Sequence, residues 1–226
     1  LKDGNLYSTA YDLALIARYA MRNRKFAEIV GTKTYIIPWP NNPYPRVAIN
    51  HNELLEQYPA ANGIKTGWTR EAGYCLMASA KGNGFSLVSV VLNAPDSQSR
   101  FNDSQRILEY GFANFRREKV IDKGKVYGRL SFPNIEEISP VVARKDLVTL
   151  IHKTSANSVE KVVTLDKDIL PPVLKGQVVG KVKVSQFGQE LGEVELVAQR
   201  TILQPNFLNK IFKFFARIMR KLKEKE

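Results

Sequence analysis

Cysteine and histidine are scarce in this chain, and its sequence has no long apolar run. The single cysteine, Cys75, excludes a disulfide within the chain, so cysteine usage does not indicate a redox compartment. No run of about 18 uncharged apolar residues occurs, which leaves no candidate for a membrane-spanning helix. The sequence opens on Leu1 without a signal peptide, and its first residues are typical of the interior of a domain. We therefore expect a fragment of a longer protein.

Positive charge, by contrast, is abundant. The 226 residues contain 34 Lys and Arg against 22 Asp and Glu, for a net charge of +12, which favours an acidic partner. Residues 206–226 contribute +5 of this charge, from seven basic and two acidic residues. The remaining +7 is spread over the rest of the chain, without the aromatic platform or recognition motif of a nucleic-acid-binding protein. We therefore expect no nucleic-acid partner.

The strongest signal of function lies within residues 62–80. Lys-Thr-Gly at 65–67 follows an apolar Gly63-Ile64 and precedes Trp68-Thr69, and Glu-Ala-Gly-Tyr-Cys at 71–75 leads into a second apolar run. Lys-Thr-Gly is one of three signatures of serine penicillin-binding proteins and related β-lactamases, beside Ser-x-x-Lys and Ser-x-Asn. With these flanks the block resembles the D-alanyl-D-alanine carboxypeptidases of the low-molecular-mass penicillin-binding class, peptidase family S11.

These residue types suit the recognition of a peptide that ends in a free carboxylate. Lys65 offers a fixed cation for that carboxylate, and Thr66 offers a hydroxyl donor beside it. Gly67 leaves the strand edge open, so that a substrate backbone can add as a further strand. By the resemblance, the N–H of Trp68 helps to bind the oxyanion. The competing interpretation is an ordinary buried hairpin with a surface lysine.

The segment before this strand departs from the resembled family at one position. Residues 50–55 are Asn-His-Asn-Glu-Leu-Leu, where the family often has Asn-x-Asn-x-Leu-Leu with Arg in the middle in some members. His51 stands at that position, and a neutral imidazole does not supply a second cation near the substrate. His51 is therefore a possible substrate-binding residue, although a turn-forming or hydrogen-bonding role suits it better than catalysis.

Helical and strand patterns together predict an α/β fold for residues 1–115. Thr9 and Asp12 form a capping box before a helix that runs to about Asn23. A second short helix is expected over residues 25–30, and a strand over residues 32–37. Leu-Tyr-Ser-Thr-Ala-x-Asp-Leu-Ala, at the start of the first helix, also resembles the carboxypeptidase family.

The end of this α/β region is predicted from a second group of patterns. Residues 85–92 are almost continuously apolar and predict a central buried strand. A polar turn over residues 96–102 and a helix over residues 103–115 follow. By the resemblance, residues 1–115 form the latter part of a serine β-lactamase- or transpeptidase-like domain.

From residue 116 onward short β-runs alternate with turn residues. This pattern predicts an all-β, sandwich-like domain over residues 116–203. Lys-Gly-Gln-Val-Val-Gly at 175–180 resembles the C-terminal domain of the same family, whose implied role is to hold the catalytic domain away from the membrane.

Residues 204–226 predict an amphipathic helix. Apolar side chains fall on one helical stripe and basic side chains on the other face, a pattern that suits the surface of an anionic bilayer. A coiled-coil seam or a helix packed on the domain are the alternatives, and the same segment anchors the resembled family. The candidate membrane-binding residues are Leu208, Ile211, Phe212, Phe215, Ile218, Met219 and Leu222.

The chain lacks a recognisable nucleophile. Ser158 with Lys161 and Ser155 with Asn157 match Ser-x-x-Lys and Ser-x-Asn by letters, but both follow the Lys-Thr-Gly strand and lie in the β-rich part. The family's mechanism needs a serine at the start of a helix with its lysine one turn on, upstream of that strand. We therefore expect no catalytic residue in this chain.

By resemblance, the parent enzyme is a serine-type carboxypeptidase. It would remove the terminal D-alanine of peptidoglycan stem peptides through an acyl-serine intermediate, without a metal or cofactor, and would be trapped by β-lactams. It would act at the outer face of a bacterial cell membrane. The competing hypothesis is a non-catalytic, membrane-associated peptidoglycan-binding protein that has kept the fold.

Overall fold

The fold is described from a computed structural model, which covers residues 7–204 apart from the side chains at 156 and 157. The chain divides into two compact units, Leu1–Arg117 and Glu118–Glu226. The predicted amphipathic helix and its seven candidate membrane-binding residues lie outside the described residues.

The first unit contains a three-stranded antiparallel sheet with helices packed against it. The sheet has the order β3-β4-β5, and a separate hairpin is formed by β1 and β2. In chain order the elements are α1 (Ala10–Ala20), α2 (Arg24–Gly31), β1 (Thr34–Ile37), β2 (Arg46–Ile49), α3 (Leu54–Gln57), β3 (Ala61–Thr69), β4 (Gly73–Gly82), β5 (Phe85–Ala94) and α4 (Ser97–Asn114).

The predicted capping pair starts α1. The Thr9 hydroxyl accepts a hydrogen bond from the Asp12 N–H at 3.1 Å and donates to the Asp12 carboxylate at 2.8 Å. The helix ends at Ala20 rather than near Asn23, because Asn23 caps the next helix. Its side-chain oxygen accepts from the N–H groups of Lys25 and Phe26. Both predicted helices are therefore present, and the first is shorter than expected.

The polar turn expected over residues 96–102 is instead the first part of α4. Asp96 caps this helix by accepting hydrogen bonds from both the N–H and the hydroxyl of Ser99, each at 2.7 Å. The backbone hydrogen bond from Ser99, followed by the bond from its hydroxyl, lowers the pKa of Asp96. Phe101 in the first turns of the helix is buried. Its burial and the Asp96 cap stabilise a helix here although the residues are mostly polar.

The strand expected at the centre of the sheet is an outer strand. β5 pairs with β4 alone among the described residues, and β4 occupies the centre. Both α1 and α4 contact β5. Helices packed on the strand account for its almost continuous apolar run without a second neighbouring strand.

The second unit is all-β, as the alternation of short runs and turns predicts. A five-stranded antiparallel sheet has the order β10-β11-β12-β8-β7, and β6 and β9 form a two-stranded sheet. Valines, leucines and isoleucines from both sheets share one buried core. The strands are β6 (Phe115–Ile121), β7 (Val126–Leu130), β8 (Ser139–Ala143), β9 (Leu147–His152), β10 (Val159–Leu165), β11 (Val178–Gln186) and β12 (Gln189–Ala198).

Gly180 allows β10 and β11 to approach each other. It pairs with Leu165, and a Cβ built on Gly180 would overlap the Thr164 carbonyl oxygen and lie 2.8 Å from the Leu165 Cα. Backbone atoms cannot move away as a flexible side chain would. The β10–β11 pairing therefore requires glycine at this position.

We predict that Gly180→Ala lowers the free energy of unfolding by about 1–3 kcal/mol, because the new methyl group pushes two paired strands apart. Gly128→Ala on β7 is the matched control, since a methyl group added there would lie 3.9 Å from its nearest heavy atom. Urea unfolding followed by circular dichroism measures both variants. Equal unfolding free energies for the two variants would contradict the packing explanation.

Candidate functional site

The Lys-Thr-Gly segment lies on β3, an outer strand of the sheet. Lys65, Thr66 and Gly67 face Met77, Leu76 and Cys75 of β4 in antiparallel register. Within residues 7–204, no strand pairs with the other edge of β3. This edge therefore has the geometry that an added peptide strand requires.

The three motif residues present a cation and a hydroxyl along this strand. Lys65 is exposed and its ammonium group donates a hydrogen bond to the Thr66 carbonyl oxygen at 2.6 Å, while the Thr66 side chain is half-buried. The motif lines a shallow cavity of about 130 Å³ together with Leu13 of α1. The surface of this cavity is almost entirely apolar.

Gly67 is exposed, and packing does not demand a glycine there. A Cβ on Gly67 would meet only the Cβ of Cys75, at an ordinary contact distance of 3.8 Å. Trp68, the next residue, is 59% exposed, and its ring lies against Tyr74 with centroids 5.9 Å apart. The surface beside the motif is therefore aromatic and open to solvent.

A buried arginine supports this strand from α4. Arg100 is 8% exposed, and its guanidinium donates to the Gly67 carbonyl oxygen at 3.2 Å and to the Ser97 hydroxyl at 3.0 Å. The guanidinium also lies over the rings of Tyr74 and Phe101, at 5.4 and 4.8 Å. In the described part of the chain no carboxylate pairs with it, and its Nε has no hydrogen-bond partner.

A buried cation without an anionic partner is energetically costly unless something compensates it. Arg100 was missed at the level of sequence because residues 96–102 were predicted to form a turn. The signal that identifies its position is Asp96 with Ser99 three residues later, which starts a helix and places Arg100 one turn into it. Arg100 is a candidate site residue that the motif does not contain.

His51 lies outside the strand pairing that holds the motif. It is exposed, in a bend before α3. The flanking Asn50 fixes this bend by donating to the carbonyl oxygens of Val30 and Thr32, at 3.1 and 3.0 Å, and by accepting from the Asn52 N–H at 3.0 Å. The contacts around His51 thus attach the bend to the end of α2.

The two letter matches to the missing signatures lie in the second unit. Ser158 ends a kinked 3-10 stretch (Lys153–Ser158), and its hydroxyl donates to the Ser155 carbonyl oxygen at 2.6 Å. Lys161 lies on β10. A serine at the end of a short turn and a lysine on a strand do not share a helical face.

Neither a metal centre nor a membrane-spanning helix occurs in the described part of the chain. Among these residues, no group of three or more His, Cys, Asp and Glu side chains is placed to hold a metal ion. In residues 7–204 no helix combines the length and apolar character needed to span a bilayer.

Comparison with known proteins gives matches over both units. Residues 1–96 match the family model D-alanyl-D-alanine carboxypeptidase, and residues 115–204 match the model Penicillin-binding protein 5, C-terminal domain. D-alanyl-D-alanine carboxypeptidase DacF of Bacillus subtilis is 25% identical over 205 residues, covering 89% of this chain and 52% of the relative. DacA of Haemophilus influenzae is 28% identical over 217 residues, covering 94% of this chain and 54% of the relative.

A solved structure extends this similarity to the fold. Penicillin binding protein 5 from Haemophilus influenzae superposes with a TM-score of 0.66 at 30% identity, covering 90% of this chain and 59% of that one. The chain thus has a penicillin-binding protein fold, with a peptidase domain followed by a β-rich C-terminal domain. It spans about half the length of the curated relatives it matches. The family expected from the Lys-Thr-Gly block is confirmed, and the chain belongs to the D-alanyl-D-alanine carboxypeptidases of the penicillin-binding class.

Proposed function

We propose that this chain supplies the substrate-recognition strand of a serine-type D-alanyl-D-alanine carboxypeptidase. The reaction would remove the terminal D-alanine from peptidoglycan stem peptides through an acyl-serine intermediate. The observation that carries this proposal is the position of Lys-Thr-Gly on the edge of β3 that no described strand pairs with, where the buried Arg100 guanidinium is bonded to the Gly67 carbonyl.

In the proposed complex the substrate backbone lies along β3 as an additional strand. The exposed Lys65 ammonium attracts the terminal carboxylate, and the Thr66 hydroxyl donates a hydrogen bond beside it. Gly67 leaves room for the backbone of the peptide, and the Trp68 N–H donates to the oxygen that becomes negatively charged. These four residues bind and orient the scissile bond without attacking it.

Nucleophile and general base would come from the Ser-x-x-Lys and Ser-x-Asn signatures of the family, for which the described residues 7–204 offer no equivalent on a helix. The serine oxygen attacks the carbonyl carbon between the two D-alanines, and the peptide bond breaks. The leaving amine takes up a proton and departs as free D-alanine. Water then hydrolyses the acyl-serine ester and restores the serine.

We assign Arg100 a positioning role with an electrostatic component. Its hydrogen bond to the Gly67 carbonyl holds the strand that bears the motif and brings its buried charge to within 3.2 Å of that carbonyl oxygen. In a poorly solvated environment a fixed cation acts on a nearby carboxylate more strongly than a solvated cation would. Arg100 thereby offers a second cation beside Lys65.

The enzyme hypothesis is favoured over a non-catalytic peptidoglycan-binding protein, because the relatives that the chain matches are named carboxypeptidases. We place the protein at the outer face of the bacterial cell membrane, bound peripherally through the basic and apolar residues of 204–226. β-Lactams would acylate the same serine as the substrate does. No nucleic-acid partner and no metal are part of the proposal.

Labelling with a fluorescent penicillin tests the proposed reaction. In the product of the reading frame extended upstream of Leu1, we expect covalent label on a serine of an upstream Ser-x-x-Lys. The isolated chain of residues 1–226 should remain unlabelled, because it offers no activated serine. Label on any serine of residues 1–226, or an extended product that lacks that signature and label, would contradict the proposal.

A second prediction concerns the two cations beside the substrate carboxylate. In the extended protein, Lys65→Ala should lower kcat/KM by about 100-fold for a peptide with a free terminal carboxylate, and Arg100→Met by about tenfold. Both losses should shrink when the methyl ester of the same peptide is used, because the ester presents no charge to either cation. The ratio of kcat/KM for acid and ester measures this electrostatic contribution.

Two exposed cations serve as matched controls. Lys81→Ala alters an exposed lysine of the neighbouring β4, and Arg106→Met alters an arginine of α4 whose side chain is 79% exposed. Both should leave the acid-to-ester ratio unchanged. If Arg100→Met reduced the rates for acid and ester equally, Arg100 would be a structural brace without an electrostatic role.

A further inference from the structure

Three leucines are strongly exposed near the last described residues of the chain. Leu170, Leu174 and Leu203 are 77%, 59% and 66% exposed, and we name these three residues the leucine ledge. They contribute no atoms to the buried core of the second unit. Single exposed leucines are common, but several at one place on a surface mark a contact site.

Backbone pairing brings Leu174 and Leu203 to one surface, and Leu170 precedes Val173 by three residues in the sequence. Val173 and Ile202 exchange two backbone hydrogen bonds, at 2.9 and 2.8 Å, in an antiparallel bridge, and both side chains are fully buried. Because neighbouring residues of an extended segment point in opposite directions, Leu174 and Leu203 point outward. The Lys175 N–H also donates to the Thr201 hydroxyl at 3.1 Å, which joins the two segments on the other side of the bridge.

The ledge lies at the end of the sheet from which the amphipathic segment continues. β10 ends at Leu165, β11 begins at Val178, and β12 ends at Ala198, so the segments that follow or precede them meet at this end. Leu203 is two residues before the sequence of 205–226, with its apolar stripe and net charge of +5.

The charges at this end do not by themselves attract an anionic surface. Lys167, Lys175 and Arg200 are offset by Asp166 and Asp168, and Glu136 and Glu137 precede β8 at the same end of the sheet. Electrostatic attraction must therefore come from the basic residues of 205–226. The leucines would add apolar contact once that segment is bound.

We propose that the leucine ledge is a second membrane contact, which inserts into the interface of an anionic bilayer beside the amphipathic segment. This inference rests on the proposed peripheral binding of residues 204–226. Two adjacent contacts resist rotation where a single helical anchor does not, so the ledge would fix the orientation of the β-rich unit on the membrane. A protein partner or a second copy of the chain is the competing occupant.

A fluorescence experiment on the full chain tests this contact. In a Cys75→Ser background, the environment-sensitive dye NBD is attached to Leu174→Cys, to Ile211→Cys or to Phe187→Cys. Phe187 is the matched control, because it is 65% exposed and lies at the opposite end of β11, about 30 Å away for its nine residues. Vesicles contain phosphatidylglycerol and phosphatidylcholine, with and without brominated acyl chains.

We expect vesicles to raise NBD emission severalfold at positions 174 and 211, with quenching by the brominated lipid, and to leave position 187 unchanged. A response at 211 without one at 174 would overturn the ledge proposal and leave the anchoring segment intact. The absence of a response at both positions would overturn both proposals. An increase in NBD emission at position 174 that follows a rise in protein concentration without vesicles would assign the ledge to a second copy of the chain. That result would also overturn the proposal.

A partitioning measurement checks the same contact without labels. The exposed leucines are replaced together by Leu170→Ser, Leu174→Ser and Leu203→Ser, and Phe187→Ser is the control. Sedimentation with the vesicles should show about tenfold weaker partitioning for the triple variant and no weakening for the control. Unchanged partitioning of a triple variant with wild-type circular dichroism would contradict the ledge proposal.

Discussion

The hydrogen bond from the buried Arg100 guanidinium to the Gly67 carbonyl links the longest helix of the first unit to the Lys-Thr-Gly strand. β3 is paired on one side only in the described sheet, and the Arg100 hydrogen bond adds a contact from α4 to its pairing with β4. An outer strand held in this way can keep its free edge extended and available. The recognition strand therefore has an edge that is free to pair with a peptide and a backbone that is held in place.

The second unit is held together by close packing between strands and between two sheets. Its core is filled by small branched side chains from two sheets, and at Gly180 the pairing is so close that no side chain fits. The two ends of this unit differ in character. One end presents the leucine ledge next to the basic, apolar sequence of 205–226, and the other ends in the Phe187 turn.

Much of this organisation was predictable from the sequence, because the signals involved are local. The Thr9 cap, the short strands after residue 116 and the strand bearing Lys-Thr-Gly follow from periodicity, capping and a motif in consecutive residues. The start of α4 was not predictable in this way, because Asp96, Ser97 and Ser99 are residue types that are typical of turns. The helix begins there because Asp96 caps it and Phe101 is buried. Arg100 was missed with that helix, and its contact with Gly67 could not be predicted because the two residues are 33 positions apart in sequence.

The most direct test of the proposed recognition role is whether β3 binds a peptide that ends in D-alanyl-D-alanine. Amide and arginine side-chain NMR signals of the chain would be followed during titration with such a peptide and, separately, with its methyl ester. Shifts concentrated at Lys65 to Trp68 and at the Arg100 Nε, strong for the acid and weak for the ester, are the predicted result. Shifts confined to the second unit, or equal for acid and ester, would show that this strand does not recognise the substrate carboxylate.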